Sequence, residues 1–418
     1  MQHITQSSRR RVEDDDAPKK KLSRRERRRL LEEKEMAKYH RSDWEIMKPY
    51  AFIGVKVLAG LLAAYGAWCG LCWLVSTDTL VCACLIVGPF AGVYYVTPPP
   101  ERPPRARVEE IWVYPVKSCK GVRYYSARLD AQNDRRWMVV DADGVFVSQR
   151  RFPKLCLVAP SLPAEAPGAL RLEAPGMPPI DAPVVDDGPR VACRVWGDSV
   201  EGVDQGATAG KWVSKFLRCR GCRLVRMPDG ATRQVDRKYA PKRTSTAFSD
   251  GFPLLVAATE SLADLNARLE KKKAPPVPMD RFRPNLVVAG VTKEGNAPFA
   301  EDAWKTMTRA GDRLALTVAK PCSRCKMPTI DQATGEPDGG DATTDDAAAD
   351  EGGGPRALAE PTATLKEYRT GAALKLKNPK WRQEVFFGQN ITHASPGAEI
   401  NVGDTFYVRS KGRSCAIS

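Results

Sequence analysis

Two long, uncharged apolar runs dominate the hydrophobic pattern at the start of the chain. The first occupies residues 57–75 and the second residues 80–96, and a short link joins them. Each run is close to the roughly 20 residues that a helix needs to cross a bilayer. Because the link is short, we predict a hairpin of two transmembrane helices within residues 49–97. A single span followed by a buried helix is the alternative that this pattern leaves open.

The segments on either side of the hairpin predict its orientation. Residues 1–48 contain 15 Lys and Arg against 10 Asp and Glu and few apolar side chains, so they predict a charged, disordered tail. A Pro-rich linker follows the hairpin at residues 98–105, where arginines appear again, whereas the link between the two runs contains no basic residue. Basic residues favour the cytosolic face of a membrane. We therefore expect a membrane protein whose folded portion faces the cytosol.

Beyond residue 105 the pattern changes to short apolar segments separated by Gly, Asp and Pro. Alternation of apolar and polar residues predicts strands. The clearest such segments are residues 111–113, 137–140, 145–147 and 314–318. Apolar residues at helical spacing predict helices at residues 211–217 and 259–271, the second with Thr259 as its N-cap. Strand patterns outnumber helical ones, so we predict an α+β fold that is predominantly β and built of barrel-like domains.

An acidic segment at residues 331–355 interrupts this pattern. It contains eight acidic residues, no Lys or Arg, and many Gly and Ala. Such a composition offers too little apolar surface to pack into a core. We predict a disordered surface loop there.

Composition narrows the chemistry that the chain can perform. A formal net charge of +15 would attract an acidic protein, anionic lipid or nucleic acid, although the need for solubility explains a basic surface equally well. Twelve cysteines spread along 418 residues do not form a dense disulfide scaffold and favour a reducing compartment. With three histidines in the whole chain, a metal site rich in imidazole is not expected.

Two CxxC pairs are the candidates for thiol chemistry. Cys322 and Cys325 follow directly on the strand predicted near residues 314–318, and a thiolate at a strand exit is well placed to bind a soft metal. The spacing alone leaves a redox pair, half of a zinc site and plain packing open. Cys219 and Cys222 form the second pair, and together the two pairs would supply a four-thiolate zinc site. The separation between them is long, so we interpret the second pair as incidental thiols.

Several blocks of the sequence, in order and in register, resemble those of the MOSC-domain molybdenum enzymes, and most closely those of the amidoxime-reducing component family. The blocks are residues 108–121 (VEEIWVYPVKSCKG), 134–137 (DRRW), 147–150 (VSQR), 282–285 (FRPN), 322–325 (CSRC) with 330–331 (ID), 365–369 (LKEYR) and 387–389 (FGQ). The resemblance implies a MOSC N-terminal β-barrel-like domain at residues 106–230. It also implies a MOSC β-barrel domain at residues 231–413, which would carry the acidic insertion.

The same resemblance implies a molybdenum cofactor, in which molybdenum is bound by molybdopterin. Cys325 aligns with the protein thiolate that completes the sulfur ligands of the metal, which would make it both metal ligand and catalytic residue. A planar, anionic pterin is well bound by guanidinium groups, which can donate two parallel hydrogen bonds, and by amide donors. The residues at the family's cofactor-binding positions are Lys117, Ser118, Arg135, Arg150, Arg283, Asn285, Ser323, Arg324 and Asn390, with Ser148 as a further candidate. Asn390 stands where close relatives often have an aromatic residue, which affects the mouth of the site.

The activity that the resemblance implies is the reduction of N-hydroxylated compounds such as amidoximes and hydroxylamines. Nothing in the sequence resembles a flavin or nicotinamide fold or a haem-attachment motif, so electrons must come from a partner. The family points to cytochrome b5 with an NADH-dependent reductase. A MOSC protein that binds the cofactor or relays sulfur without reductase activity is the alternative. The outer mitochondrial membrane and the endoplasmic reticulum are the expected locations, and no nucleic-acid partner is expected.

Overall fold

The computed structural model describes residues 104–129, 134–162, 168–240, 244–291, 296–312, 314–338 and 359–411. The charged tail and the transmembrane hairpin predicted within residues 1–97 lie outside the described residues. Among the described residues, no helix has the length and apolar composition needed to cross a bilayer. The described residues belong to one compact unit, residues 101–418.

Strands predominate in this unit. In chain order they are β1 (Arg105–Val113), β2 (Val122–Tyr124), β3 (Ser126–Arg128), β4 (Trp137–Val140), β5 (Ala159–Ser161), β6 (Ala169–Glu173), β7 (Ile180–Pro183), β8 (Arg190–Val195), β9 (Asp198–Asp204), β10 (Arg223–Arg226), β11 (Arg233–Gln234), β12 (Ser245–Thr246), β13 (Leu254–Ala258), β14 (Leu286–Gly290), β15 (Trp304–Arg309), β16 (Ala315–Arg324), β17 (Val385–His393), β18 (Glu399–Asn401) and β19 (Thr405–Ser410).

Helices are few among the described residues. They are α1 (Ala207–Leu217), α2 (Thr259–Lys271) and α3 (Thr362–Tyr368), with short 3₁₀ turns at Pro153–Leu157, Met279–Phe282, Ala300–Ala303, Met327–Thr329 and Pro379–Trp381. The α2 helix has the predicted bounds, but Thr259 is its first helical residue and Ala258 occupies the cap position. The prediction of Thr259 as the N-cap is therefore wrong by one residue. The predominantly β, α+β fold class is confirmed for this part of the chain.

Seven strands close into a barrel in the order β14-β13-β17-β16-β15-β19-β1, because β1 also pairs with β14. Closure leaves no exposed edge in the ring, which removes a site of unwanted strand pairing. Alternating apolar side chains fill the interior. Among them are Ala106, Val108, Ile111, Val256, Leu286, Val288, Met307, Leu316, Ile391 and Phe406. The barrel is thus held by pairings between distant parts of the sequence, such as Val108 with Val288.

The strand β1 connects the two expected domains. The sequence places it at the start of the predicted N-terminal domain, residues 106–230, and in the structure it pairs with β14 and β19 and completes the barrel. Strand β2 extends β1, and β3 pairs with β18. The later strands of the first segment form their own sheets, β4-β10-β9-β8 and β5-β6-β7. Helix α1 packs there, and Trp212, Leu170 and Leu224 lie in its core.

Two features of this arrangement position the site. β16 departs from regular pairing with β17 between Val318 and Lys320 and again between Pro321 and Ser323. Such irregularities increase the local twist and redirect the end of a strand. In addition, Gln149 of the first domain and Gln332 of the second are buried and donate to each other's side-chain oxygens at 3.1 and 3.0 Å. This amide pair joins the two domains beside the exit of β16.

The start of the acidic segment is ordered, contrary to the loop predicted over residues 331–355. Residues 331–338 form a turn that Ile330 and Pro337 close by a β-bridge. Asp331 and Asp338 both accept hydrogen bonds from the buried Arg281. The carboxylates that we took as a sign of disorder instead neutralise a buried guanidinium. Residues 339–355 of the predicted loop lie outside the described residues.

Candidate active site

Cys325 is the first residue after β16, at the strand exit where the sequence predicted it. Its side chain is exposed, and its Sγ accepts from the Met327 backbone N–H at 3.5 Å. Burial by the surrounding protein raises the pKa of the Cys325 thiol, while the Met327 N–H and the cations Arg150 and Arg324 act in the opposite direction. The Cys325 thiol is therefore accessible at a strand exit where two cations act on it.

Arg324 holds the end of β16 in place. Its Nε and Nη2 donate to the Phe387 carbonyl at 2.9 and 2.6 Å, and its Nη1 donates to the Phe282 carbonyl at 2.9 Å. All three nitrogens of the guanidinium thus donate to main-chain carbonyls. These contacts favour a positioning role for Arg324 over the direct cofactor contact that the family resemblance implies.

Arg135 and Arg283 form a cationic pair on the two sides of one aromatic side chain. Their guanidinium carbons lie 4.3 and 4.2 Å from the centroid of the buried Tyr114 ring. The negative face of an aromatic ring attracts cations, most strongly where water is excluded. Both arginines have a left-handed backbone, with φ of 50° and 53°. Non-glycine residues adopt this conformation at a cost and are concentrated at functional sites.

The side chain of Asn285 holds the Arg135 member of this pair in place by hydrogen bonds. Its Oδ1 accepts from Arg135 Nη1 at 2.9 Å and from the Leu255 N–H at 3.1 Å. Its Nδ2 donates to the Trp112 carbonyl at 3.1 Å and to Asp134 Oδ1 at 3.0 Å. Both donors and both lone pairs of the amide are therefore used. Asn285 positions Arg135 and Asp134 and has no side-chain donor left for a ligand.

Arg283 differs from Arg135 in having an unused donor. Among the described residues, its buried Nη2 has no hydrogen-bond partner. Burial also lowers the pKa of Arg283, which shows that its charge is poorly solvated. Arg135, in contrast, pairs with Asp134 at 2.5 Å. A buried, unpaired guanidinium is costly unless an anion or acceptor completes its contacts, so Arg283 is the residue best prepared for an anionic ligand.

Lys117 and Asp250 form an ion pair at the mouth of the site, with Nζ and Oδ1 2.5 Å apart. The same oxygen accepts from the Trp196 indole N–H at 3.0 Å. Desolvation raises the pKa of Asp250, but Lys117 and Trp196 outweigh it and hold that pKa far below its usual range. Arg135 also acts electrostatically on both Lys117 and Asp250. The two cationic clusters are thus neighbours.

Trp196 connects this ion pair to Arg150. It lies at the turn between β8 and β9 with a φ of 55°, and 44% of its surface is exposed. The Arg150 guanidinium carbon lies 3.9 Å from the centroid of its ring. Sequence reasoning missed both Trp196 and Asp250. Neither lies in a block that carried the resemblance, and an exposed tryptophan becomes informative only once its exposure is known.

The remaining predicted residues take varied positions. Ser118 is buried with a φ of 64°, and its carbonyl accepts from Gln149 Nε2 at 2.8 Å. Ser148 is also buried, whereas Ser323 is exposed. Asn390 is half-buried, and its Nδ2 lies 3.4 Å from the carbonyl oxygens of Lys320 and Pro321. The structure therefore brings Arg150 and Arg324 to Cys325 and places Arg135 near both Arg283 and Lys117, while several predicted contacts serve the scaffold.

A structural zinc site is not supported by the part of the chain that the structure describes. There, no group of three or more His, Cys, Asp or Glu side chains is placed to hold a metal ion. The two CxxC pairs consequently do not come together as four thiolates. A metal at this site would need ligands from a cofactor in addition to Cys325.

Comparison with known proteins agrees with this geometry. The MOSC N-terminal beta barrel domain matches residues 105–220 and the MOSC domain matches residues 243–407. Mitochondrial amidoxime-reducing component 1 of Mus musculus is 33% identical over 321 residues, which cover 72% of this chain and 82% of that protein. The Homo sapiens protein of the same name is 32% identical over 316 residues, with the same two coverages. The chain belongs to the amidoxime-reducing component family of MOSC-domain proteins.

Membership of this family confirms the resemblance found in the sequence. The matched MOSC segments together span the described unit and include Cys325, Arg283 and the strand exit between them. The N-terminal match begins at residue 105, the first residue of β1. The strand that closes the barrel is thus part of what this MOSC protein shares with its family.

Proposed function

We propose that this chain is a membrane-anchored molybdenum-cofactor oxidoreductase that reduces N-hydroxylated compounds such as amidoximes and hydroxylamines. One observation carries the proposal. An accessible thiol, Cys325, lies at the exit of β16, where Arg150 and Arg324 act electrostatically on it, and the same domain buries Arg283 with an unpartnered nitrogen. The names of the relatives, amidoxime-reducing components, support the same activity.

The residues present fit a molybdenum-bound pterin. Thiolates suit soft metal centres, and Cys325 is the accessible thiol at the strand exit. Guanidinium groups suit the phosphate and ring edges of a pterin, and Arg283 has a donor free for that purpose. Lys117, Ser118, Arg150 and Ser323 would surround the same ligand, and Arg135, Asn285 and Arg324 would fix its cationic wall.

When bound, the cofactor would supply two-electron chemistry at the metal, which is its own and not the protein's. The chain contributes orientation and electrostatics. Cys325 would act as the metal ligand and, in that sense, as the catalytic residue. Arg150 stacks on Trp196 and acts electrostatically on the Cys325 sulfur. The ion pair of Lys117 and Asp250 carries no net charge, so it adds no positive charge to the site.

The electrons would come from an external carrier. We propose cytochrome b5 with its NADH-dependent reductase, as expected for the family. A net charge of +15 suits association with an acidic protein, because opposite surface potentials accelerate encounter. The relatives are named as mitochondrial proteins, which supports the outer mitochondrial membrane over the endoplasmic reticulum as the membrane that holds the anchor.

The test uses the full chain reconstituted with cytochrome b5, its reductase and NADH, with benzamidoxime as substrate. We expect turnover by the wild-type protein and stoichiometric molybdenum and pterin after purification. Cys325→Ala should lose at least about a hundredfold in activity, since loss of a metal's protein ligand has at least the effect of losing its supporting contacts. Cys322→Ala, the matched control three residues away, should retain activity. Equal turnover by the wild type and by Cys325→Ala would reject the proposal.

A further inference from the structure

A second pair of thiols lies at the end of α1, within the N-terminal domain. The helix ends at Arg218, whose backbone is left-handed with a φ of 53°. Its N–H donates to the Lys215 carbonyl at 3.3 Å, and the Cys219 N–H donates to the Ser214 carbonyl at 3.0 Å. These two bonds are those of a Schellman cap, which fixes the chain direction at a helix end. Cys219 is thereby held immediately beyond the cap.

The turn that follows brings Cys222 back to the end of α1, beside Cys219. Gly221 has a φ of 78°, a conformation that lets the chain reverse at little cost. Gly210 of α1 permits the close approach, because a Cβ there would lie 2.9 Å from the Cys222 carbonyl oxygen. Ser214 Oγ donates to that carbonyl at 3.4 Å. Ser214 thus accepts from the Cys219 N–H and donates to the Cys222 carbonyl, and Cys219 packs against the hydrophobic cluster that contains Cys222.

The two thiols differ in accessibility. Cys219 is half-buried, whereas Cys222 is 3% exposed. Desolvation, with smaller contributions from Cys219, raises the pKa of the Cys222 thiol to about 12. An outer thiol that meets solvent and an inner thiol three residues away on the same turn are an arrangement suited to thiol–disulfide exchange. The outer thiol reacts first, and the inner one resolves the product.

The surroundings select an anionic reaction partner. Arg218 and Arg220 are exposed on both sides of Cys219. A groove of about 730 Å³ runs along α1 beside this turn, and its lining includes Cys222, the cations Lys211, Arg220 and Arg223, and one acidic residue, Asp204. The groove is large enough for a tripeptide, and its cations attract carboxylates. Glutathione disulfide combines carboxylates with a reactive disulfide and matches both features.

We propose that Cys219 and Cys222 form a redox-active dithiol that glutathione disulfide oxidises to an intramolecular disulfide and that small thiols reduce again. In the first step the Cys219 thiolate attacks one sulfur of glutathione disulfide. A bond forms between Cys219 and that sulfur, the disulfide of glutathione breaks, and one glutathione thiolate leaves and is protonated. The proton count is preserved, because the proton lost by Cys219 balances the one gained.

In the second step Cys222 releases its proton and attacks the Cys219 sulfur. The bond between the two cysteines forms, the mixed disulfide breaks, and a second glutathione leaves as its thiol. In sum, two protein thiols are oxidised to one disulfide while one glutathione disulfide is reduced to two glutathiones. The reaction is independent of the molybdenum site, so it stands whether or not the proposed reductase activity is correct.

The test compares the full-length wild-type protein with Cys219→Ser and Cys222→Ser. Each is equilibrated in buffers of graded glutathione to glutathione disulfide ratio, and free thiols are trapped by alkylation and mapped by mass spectrometry. In the wild type we expect Cys219 and Cys222 to become protected together, with loss of two hydrogens, and to recover in dithiothreitol. Cys222→Ser should stop at a glutathionyl adduct on Cys219. Cys219→Ser should form neither product.

The buried Cys193 of the same domain serves as the internal control and should stay unmodified. A wild-type protein whose Cys219 and Cys222 remain alkylatable in the most oxidising buffer would overturn the proposal. So would zinc in the purified protein that is lost from both serine variants. A glutathionyl adduct in Cys222→Ser without any intramolecular disulfide in the wild type would also overturn it.

Discussion

Arg135 and Arg283 place their guanidinium carbons 4.3 and 4.2 Å from the same Tyr114 ring. Two like charges this close would repel strongly in a dry environment. The ring's negative faces, Asp134 and the network through Asn285 offset that repulsion. Tyr114 is itself anchored, because its hydroxyl donates to the Pro284 carbonyl at 3.1 Å. The arrangement of these two arginines therefore depends on Tyr114.

We predict that Tyr114→Leu lowers the free energy of unfolding by about 3 kcal/mol, since it removes two desolvated cation–π contacts and one hydrogen bond. Tyr114→Phe keeps the ring and should cost only about 1 kcal/mol. Urea denaturation of the two variants and the wild type measures both effects. Equal losses in the two variants would show that the ring contributes nothing to holding the arginines.

A second prediction concerns Arg283. Arg283→Met should reduce the molybdenum content of the purified protein at least about tenfold, because the unpartnered donor is then missing. The unfolding free energy of the cofactor-free protein should change by less than about 1 kcal/mol, because a poorly paired buried charge is also removed. Metal analysis and urea denaturation give the two values. The molybdenum part of this prediction rests on the proposed function.

Arg281→Met is the matched control for that experiment. Arg281 is buried in the 3₁₀ turn that Arg283 caps, and although its Nε also has no partner among the described residues, its Nη1 and Nη2 donate to Asp338 and Asp331. Its loss should cost about 2 kcal/mol, because two partly buried carboxylates lose their partner. If Arg283→Met destabilises the cofactor-free protein as much as Arg281→Met, then Arg283 is a structural residue.

The buried Glu301 predicts a pH dependence of stability. Desolvation and the neighbouring Asp302 raise the pKa of Glu301 to about 7, although Ser261 donates to both of its oxygens. The folded state then holds a proton that the unfolded state has released, so stability falls as pH rises from about 4.5 to about 7. Glu301→Gln removes this titration. It should unfold with about 3 kcal/mol more free energy than the wild type at pH 8.

At pH 4.5 the two proteins should be nearly equal in stability, since Glu301 is protonated in the folded state and its carboxyl is about half protonated in the unfolded chain. Urea denaturation at the two pH values separates the titration from any change in packing. A constant difference between Glu301→Gln and the wild type across this range would show that Glu301 does not titrate there.

Trp196 provides a prediction about the mouth of the site. Trp196→Phe keeps the stack with Arg150 but loses the hydrogen bond to Asp250, whereas Trp196→Ala loses both. Because Trp196 is exposed, we expect less than about 1 kcal/mol of destabilisation from either change. We expect KM for benzamidoxime to rise several-fold in Trp196→Ala and less in Trp196→Phe. Steady-state kinetics with reconstituted partners test this, and unchanged KM in Trp196→Ala would exclude a role at the mouth.

The sequence predicted the elements whose hydrophobic pattern repeats within a short stretch of the chain. The α2 helix was predicted with its bounds because its apolar stripe repeats within thirteen residues. The strand expected at residues 145–147 is reduced to isolated bridges, Val140 with Phe146 and Val145 with Arg194. Apolar alternation indicates a pleated surface but does not state whether a neighbouring strand is long enough to pair with it.

Candidate site residues follow the same division. Cys325 and the cations near it could be named from motif blocks, because residue type and order are properties of the sequence. The roles of these residues could not be predicted from the sequence. Asn285 and Arg324 form hydrogen bonds with main-chain and side-chain groups of the protein. Only the three-dimensional structure shows which acceptor each of their donors reaches. Trp196 and Asp250 join the site from a hairpin and a turn that the resemblance did not cover.

By itself, the amino-acid sequence determined the apolar and polar periodicities, the family blocks and the thiol at the end of a strand. The tertiary structure decided which strand closes the barrel, which arginine keeps a free donor and which carboxylates neutralise Arg281. The physical reason is the range of the interactions. Periodicity and capping act within a few residues, whereas strand closure and the desolvation of a charge depend on every group that folding brings around them.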